Sequence, residues 1–282
     1  MALTDPLVST AWLADRLRTD EVRVVDGSWH MPAAGRSGRE EYLQAHIPGA
    51  VFFDIDAIAD PATDLPHMLP SPEAFAKAAG ELGLSRDHAV VVYDTVGIFS
   101  AARVWWTLRV MGYDQVAVLD GGFRQWLAER RPVETGEVSP RVVDVAPAFN
   151  AELVRDLEAV RTMLASGKDQ ILDARPLARF RGEAAEPRPG LRAGHMPGAL
   201  NLPFDQVVAP DGRLKSPEEL RQAFKAAGVD VKRPVVTTCG SGVTASVLAL
   251  ALARIGADRT AVYDGSWAEW GGRDDTPVAT GA

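Results

Sequence analysis

The sequence predicts an α/β protein of two tandem domains, each a mainly parallel sheet flanked by helices. Three observations point there. The chain has 282 residues, a length that fits two domains of ordinary size. Short β-branched runs alternate with helical stretches, the pattern of strands buried on both faces by crossover helices. And a set of motifs occurs twice, in the same order.

The repeat is read from four anchors. His46-Ile47-Pro48-Gly49-Ala50 recurs as His195-Met196-Pro197-Gly198-Ala199, and Ser71-Pro72-Glu73 recurs as Ser216-Pro217-Glu218. Twenty-three residues after each Ser stand Asp94 and Cys239, each closing a β-like run. Asp120-Gly121-Gly122-Phe123 then matches Asp264-Gly265-Ser266-Trp267, with Trp126 and Trp270 each six residues after the Asp. The chain is therefore two copies of one domain, predicted over 1–135 and 151–282 with a linker at 136–150. From about Pro132 to Asn150 the sequence is rich in Pro, Val and charge and has no helical period.

Within the copies, strands are expected at Val22–Val25, Val90–Tyr93 and Val116–Leu119, then at Gln170–Leu172, Val235–Thr238 and Thr260–Tyr263. Ser216, Pro217 and Glu219 form a capping box that starts a helix. Val243–Ile255 is apolar nearly all round, so it should be a buried helix with a glycine cap at Gly256. The seven Trp residues fall largely at helical spacing and read as core.

Composition narrows the function. Hydrophobic residues make up 46% and charged residues 24%, values that allow a packed core. Net charge is −8 with no Lys/Arg block, which disfavours nucleic acid and anionic membrane as partners. The most apolar segment, Val235 to Ala257, is too interrupted to span a bilayer. No secretory signal is legible at the start of the sequence, so a cytoplasmic location is expected. With Cys239 as the single cysteine, an intramolecular disulfide or a multi-cysteine metal site is excluded.

Cys239 sits in Thr238-Cys239-Gly240-Ser241-Gly242-Val243-Thr244-Ala245, a strand followed by a glycine-containing loop and a helix. That places it at the carboxyl end of a parallel strand, where open α/β sheets hold their ligands. Loop N–H groups and the positive helix end would stabilise a thiolate or persulfide. The bland alternative is a buried structural cysteine. A cysteine phosphatase would need Arg where Ala245 stands, so no bidentate phosphoryl contact is available.

This loop in a duplicated domain resembles the tandem rhodanese family of sulfurtransferases, in particular its 3-mercaptopyruvate-using members. Both His-x-Pro-Gly-Ala motifs, Arg103-Val104-Trp105-Trp106 and Tyr263-Asp264-Gly265-Ser266-Trp267 extend the match over nearly the whole chain. Thiosulfate-using relatives typically carry Arg-Lys at the positions of Gly240 and Ser241. The resemblance implies Cys239 as nucleophile and persulfide carrier. It implies Arg179 and Arg188 as donor-binding arginines, with Arg181 left to solvent, and the backbone of Gly240, Gly242, Val243 and Thr244 around the sulfur. Ser241, His67 and Asp56 would form a proton-transfer set at the domain interface, with Asp54 as the neighbouring carboxylate to be distinguished from Asp56. The implied reaction takes sulfur from 3-mercaptopyruvate to a thiol, a thioredoxin-like protein or cyanide and releases pyruvate, with no metal or organic cofactor. Two alternatives stay open: thiosulfate as donor, or a persulfide-carrying module without turnover. His46 and His195 recur in the copy without cysteine and are expected to hold their turns rather than to react.

Overall fold

The computed structural model describes residues 3–281 except Arg18, Lys168 and Asp258. The chain divides into two compact units. The first comprises Met1–Asp60, Leu69–Asn150 and Ala209–Leu214; the second comprises Pro61–Met68, Ala151–Val208 and Lys215–Ala282. Each unit thus includes a short stretch of the other copy's chain. With Ser71 aligned on Ser216, the two stretches overlap: the same loop of the repeat is the one that leaves.

The first unit contains β1 (Leu7–Val8), α1 (Thr10–Ala14), β2 (Val22–Asp26), α2 (Gly38–Gln44), β3 (Val51–Phe52), α3 (Pro72–Glu81), β4 (Ala89–Tyr93), α4 (Ser100–Val110), β5 (Val116–Leu119) and α5 (Gly122–Ala128). The second contains β6 (Val154–Arg155), α6 (Leu157–Ser166), β7 (Gln170–Asp173), α7 (Leu177–Phe180), β8 (Leu200–Asn201), α8 (Pro217–Ala226), β9 (Val235–Thr238), α9 (Val243–Arg254), β10 (Thr260–Tyr263) and α10 (Ser266–Trp270). The sheets have the same order, β1-β5-β4-β2-β3 and β6-β10-β9-β7-β8. Every strand pair in them is parallel.

The six β-branched runs supply the central strands, because a strand covered on both faces is continuously apolar. All five residues of β4 and all four of β9 are buried. The two-residue edge strands lay outside the expected set. They carry no pattern of their own and exist through pairing with a central strand, as Leu7 does with Val118 and Val154 with Val262. The capping box at Ser216 forms as expected. α9 ends at Arg254 with Ile255 as its cap, and Gly256 follows in the left-handed region at φ 80°.

Helices on both faces seal each sheet. Trp126 in the first unit and Trp267 and Trp270 in the second are fully buried in the cores. Trp126 and Trp270 each donate their indole N–H to a proline carbonyl, of Pro132 at 2.7 Å and of Pro277 at 2.9 Å. The repeated histidines also act alike. His46 Nδ1 meets the Tyr42 carbonyl and His195 Nδ1 the Phe180 carbonyl, both at 2.8 Å, and each ring stacks on that residue's aromatic ring. Both hold the start of a Pro-Gly turn, closed by Ala50 N–H on Ile47 O and Ala199 N–H on Met196 O. The segment expected as linker runs along the first unit, where Val143 N–H bonds the Gly80 carbonyl and Arg86 the Ala146 carbonyl.

Candidate active site

In the second unit β7 and β9 are neighbours, with Asp173 paired to Thr238, and the chain leaves their ends in opposite directions across the sheet. This is the switch point at which open parallel sheets bind ligands. Cys239 follows β9 directly and is 2% exposed. Its N–H donates to Ser266 Oγ at 3.3 Å, and Ser266 Oγ donates to the Tyr263 carbonyl at 2.9 Å. Ser266 adopts φ 50°, an uncommon backbone for a non-glycine residue. The Cys239 and Gly240 carbonyls accept the N–H groups of Trp267 and Ala268 at 2.9 and 2.8 Å. The loop is thus pinned from the β10 side by two of its carbonyls and by the Cys239 N–H.

Gly242 caps α9 in the left-handed region at φ 80°, a conformation that costs glycine nothing. Its carbonyl accepts Ser246 N–H, so the N–H groups of Val243, Thr244 and Ala245 belong to the first turn, which has no intrahelical acceptors. With the dipole of a 12-residue helix behind them, these groups favour negative charge at the cysteine loop.

Two arginines converge on the same loop. A Cβ placed on Gly240 would lie 3.3 Å from Arg179 Nη2 and 3.7 Å from Arg188 Nη1. Arg188 Nη2 also donates to Ser241 Oγ at 3.4 Å. Arg181, two residues from Arg179, forms the C-cap of α7 instead.

Behind Arg179 lies a buried ionic chain absent from the sequence-based expectations. Glu186 Oε2 accepts from Arg179 Nε at 3.1 Å and also from Arg179 Nη2, while its Oε1 accepts from Arg175 Nη1 at 2.7 Å. Arg175 is bound in turn to Asp173, with Nη2 to Oδ2 at 2.7 Å, and to the Gly194 carbonyl at 2.8 Å. Its guanidinium lies 4.2 Å over the Trp267 ring. Burial alone would make Arg175 easier to deprotonate, but Asp173 and Glu186 outweigh it and hold its pKa above the usual value. The only sequence signal was a difference between the copies: Asp173 is followed two residues later by Arg175, Asp26 by Ser28.

His67 belongs to the same compact unit as Cys239. It is 6% exposed and takes φ 62°, so a buried imidazole is carried on an uncommon backbone. Asp56 belongs to the other unit, where its Oδ2 accepts the Trp29 indole N–H at 2.8 Å. Asp54 is committed to its own turn, accepting the N–H groups of Asp56 and Ala57 at 2.9 and 3.2 Å. The structure therefore gathers Cys239, Gly240, Ser241, Arg179 and Arg188 at one point, places His67 in their unit and Asp56 in the other. Among the described residues no group of three or more His, Cys, Asp or Glu is arranged to hold a metal ion, and no helix is long and apolar enough to cross a membrane.

The rhodanese-like domain family matches residues 9–129 and 156–273. The chain is 45% identical over 274 residues to the 3-mercaptopyruvate sulfurtransferase of Escherichia coli K12, covering 96% of each chain. It is also 45% identical over 271 residues to the thiosulfate sulfurtransferase of Bos taurus, covering 94% of this chain and 91% of that one. The crystal structure of SseA from Escherichia coli, a 3-mercaptopyruvate sulfotransferase with the rhodanese fold, superposes with a TM-score of 0.87 at 42% identity, covering 94% of this chain and 99% of that one. The duplicated sheet, the cysteine at the end of the fourth strand of the second copy and these likenesses agree: the chain belongs to the rhodanese family, as a two-domain sulfurtransferase.

Proposed function

We propose that the protein takes sulfur from 3-mercaptopyruvate through a persulfide on Cys239 and passes it to a thiol. The Cys239 thiolate attacks the donor's sulfur. The carbon–sulfur bond breaks with its electrons moving into an enolate, and protonation of that enolate gives pyruvate. A small thiol, a thioredoxin-like protein or cyanide then attacks the outer sulfur and restores Cys239. Two half-reactions through one covalent intermediate imply ping-pong kinetics.

The observation that carries this reading is the convergence of Arg179 and Arg188 on Gly240, next to the nucleophile. Forked guanidiniums suit the adjacent carboxylate and ketone of the donor. The backbone of Gly240, Gly242, Val243 and Thr244 is assigned to the anionic sulfur. Ser241, within reach of Arg188, and His67 are assigned to the proton that the enolate requires. Asp56 joins them on the resemblance alone. A cytoplasmic setting suits a reducing supply of acceptor thiols.

The likeness to a thiosulfate sulfurtransferase supports a second reading, with thiosulfate as donor. One experiment separates them. Protein incubated with each donor is weighed by intact mass spectrometry while pyruvate is assayed. Addition of one sulfur atom and stoichiometric pyruvate from mercaptopyruvate are expected, and neither in Cys239→Ser. A sulfur adduct from thiosulfate with no pyruvate from mercaptopyruvate would replace the donor. An adduct without multiple turnover in the presence of excess thiol would replace the enzyme with a carrier.

A further inference from the structure

We propose that Glu186 sets the charge of the donor site: by binding Arg179 it removes one positive charge from the pocket beside Cys239 and thereby favours a monoanionic donor over a dianionic one. This rests on Arg179 being a donor-binding arginine, as proposed above.

The geometry is that of a fixed counter-ion. The Glu186 side chain is 1% exposed, as is that of Arg175, and Asp173 is 2% exposed, whereas Arg179 reaches 22%. Only the last member of the chain Asp173–Arg175–Glu186–Arg179 approaches solvent. Two carboxylates and two guanidiniums alternate along it, so the four charges sum to zero. Arg175 cannot withdraw, because Asp173, the Gly194 carbonyl and the Trp267 ring hold it. Its grip on Oε1 fixes the other carboxylate oxygen, and that oxygen takes Arg179 by Nε and Nη2.

Two consequences follow for a donor. The Nε edge of the Arg179 fork is committed to Glu186, and the edge formed by the two Nη groups is what remains for a ligand, on the side where Nη2 faces Gly240. Arg179 offers hydrogen-bond donors with its charge already balanced. Mercaptopyruvate carries one carboxylate charge at neutral pH and needs orientation more than charge. Thiosulfate is a compact dianion, and every positive charge added to or removed from the site acts on it about twice as strongly as on a monoanion. Glu186 is thus a positioning and specificity residue that touches no donor atom.

The test reads binding without turnover. In a Cys239→Ser background, dissociation constants for pyruvate as monoanion and thiosulfate as dianion are measured by calorimetry at one ionic strength, since salt screens the effect. Glu186→Gln should shift the ratio toward thiosulfate by about tenfold, of the order expected for one extra charge a few ångströms away in a partly screened site. Glu186→Asp, which keeps the charge but shortens the reach, should weaken both ligands and leave the ratio near that of the parent. Glu186→Gln leaves the Arg179 guanidinium without a carboxylate and Arg175 with Asp173 alone, which can cost stability. The same question is therefore asked in an Arg179→Gln background, where the ratio should first move away from thiosulfate and then return when Glu186→Gln is added and the site is neutral again. A ratio that Glu186→Gln leaves unmoved in both backgrounds, or that Glu186→Asp moves as far, overturns the proposal. Absence of persulfide and pyruvate in the unmutated enzyme would instead overturn the donor assignment and leave this charge ratio standing as measured.

Discussion

Asp94 and Cys239 occupy the same place in the two copies, at the carboxyl end of the fourth strand, and their loops treat that place differently. Asp94 is fully buried, and its carboxylate accepts four backbone N–H groups. Oδ1 takes Val96 and Gly97 at 2.9 and 2.8 Å; Oδ2 takes Phe99 and Ala101 at 2.9 and 2.8 Å. The last donor lies in the first turn of α4, so Asp94 caps that helix from a distance. The capture delays the helix: α4 begins at Ser100, six residues past Asp94, whereas α9 begins at Val243, four past Cys239. The loop after the fifth strand follows suit. A Cβ on Gly122 would sit 2.4 Å from the Asp94 carbonyl, but its counterpart Ser266 fits a side chain and turns it onto the Cys239 N–H. Both copies follow the fourth strand with a loop that leads into a helix N-terminus. The first has closed its loop on its own carboxylate, while the second carries at that place the sulfur proposed above to take the donor's sulfur.

The largest effect expected from this contrast is on stability. Asp94→Ala leaves four N–H groups, two of them fully buried, without their acceptor and α4 without its cap. Charge-assisted bonds contribute about 1.5–3 kcal/mol each and do not add fully, so the loss should be about 4 kcal/mol or more. Cys239→Ala removes one sulfur atom from a loop held by its own carbonyls and should cost about 1 kcal/mol, while abolishing transfer. Denaturant unfolding of the full chain with each substitution decides the matter. Equal losses would mean that the two loops are built alike after all.

A second contrast lies one strand away. Asp26 ends β2 as Asp173 ends β7, and each accepts the N–H two residues on at 2.9 Å. Asp173 faces Arg175; Asp26 faces Ser28 and no cation pairs with it among the described residues. Burial raises the pKa of Asp26 to about 6, against hydrogen bonds from Ser28 and Tyr93 that lower it, with the neighbouring Asp94 charge adding to the rise. Its folded pKa exceeds the ordinary 3.8, so folding takes up a proton. Stability from this group is therefore full below about pH 4 and declines as pH rises toward 6. Asp26→Asn should stabilise the protein by about 2 kcal/mol at pH 7 and by nearly nothing at pH 4. Asp173→Asn, which leaves Arg175 short of a counter-charge, should destabilise at pH 7 by about 3 kcal/mol. Unfolding free energies at both pH values test the signs; a destabilising Asp26→Asn at pH 7 would remove the contrast.

How much of this was legible in the sequence depends on how local each signal is. The central strands were legible because a strand buried on both faces is a continuous apolar run. The edge strands such as Val51–Phe52 were not, since two residues hold no period and are defined by their partner. His46 and His195 could be read as structural because the copy without cysteine keeps its own. The cysteine loop was legible as strand, glycines and helix, and the arginine pair through family resemblance. Glu186 was hidden, because its role comes from Arg175, which only the fold brings against it. The stretches 61–68 and 209–214, each counted with the other copy's unit, were equally invisible in a linear repeat. So was the different starting point of α4, which follows from a carboxylate competing for the helix's own N–H groups.

The smallest expected effect sharpens the comparison most closely to the chemistry. Gly240 corresponds in the repeat to Thr95, which carries a full side chain: Thr95 Oγ1 donates to Glu41 Oε2 at 3.0 Å and its N–H donates to Ser28 Oγ at 3.1 Å. The fold therefore tolerates a branched residue at this point. Gly240 has no positive φ to preserve, and a Cβ there would meet only the Arg179 and Arg188 guanidiniums, at 3.3 and 3.7 Å. Gly240→Ala should leave stability within about 0.5 kcal/mol of the parent, because no backbone strain or core atom is involved. The contact with Arg179 is tighter than ordinary, and Glu186 holds that guanidinium from behind, so the arginine fork must tilt by a few tenths of an ångström. Donor binding should weaken by roughly threefold to fivefold, under about 1 kcal/mol, seen as a raised KM for mercaptopyruvate with kcat little changed. Thr95→Gly in the first copy should do the reverse, lowering stability by about 1 kcal/mol and leaving KM untouched. Steady-state kinetics and thermal unfolding of the two variants side by side are sufficient. If Gly240→Ala leaves KM where it was, the two arginines do not meet the donor across this glycine, and the site must be sought further along the 181–188 loop.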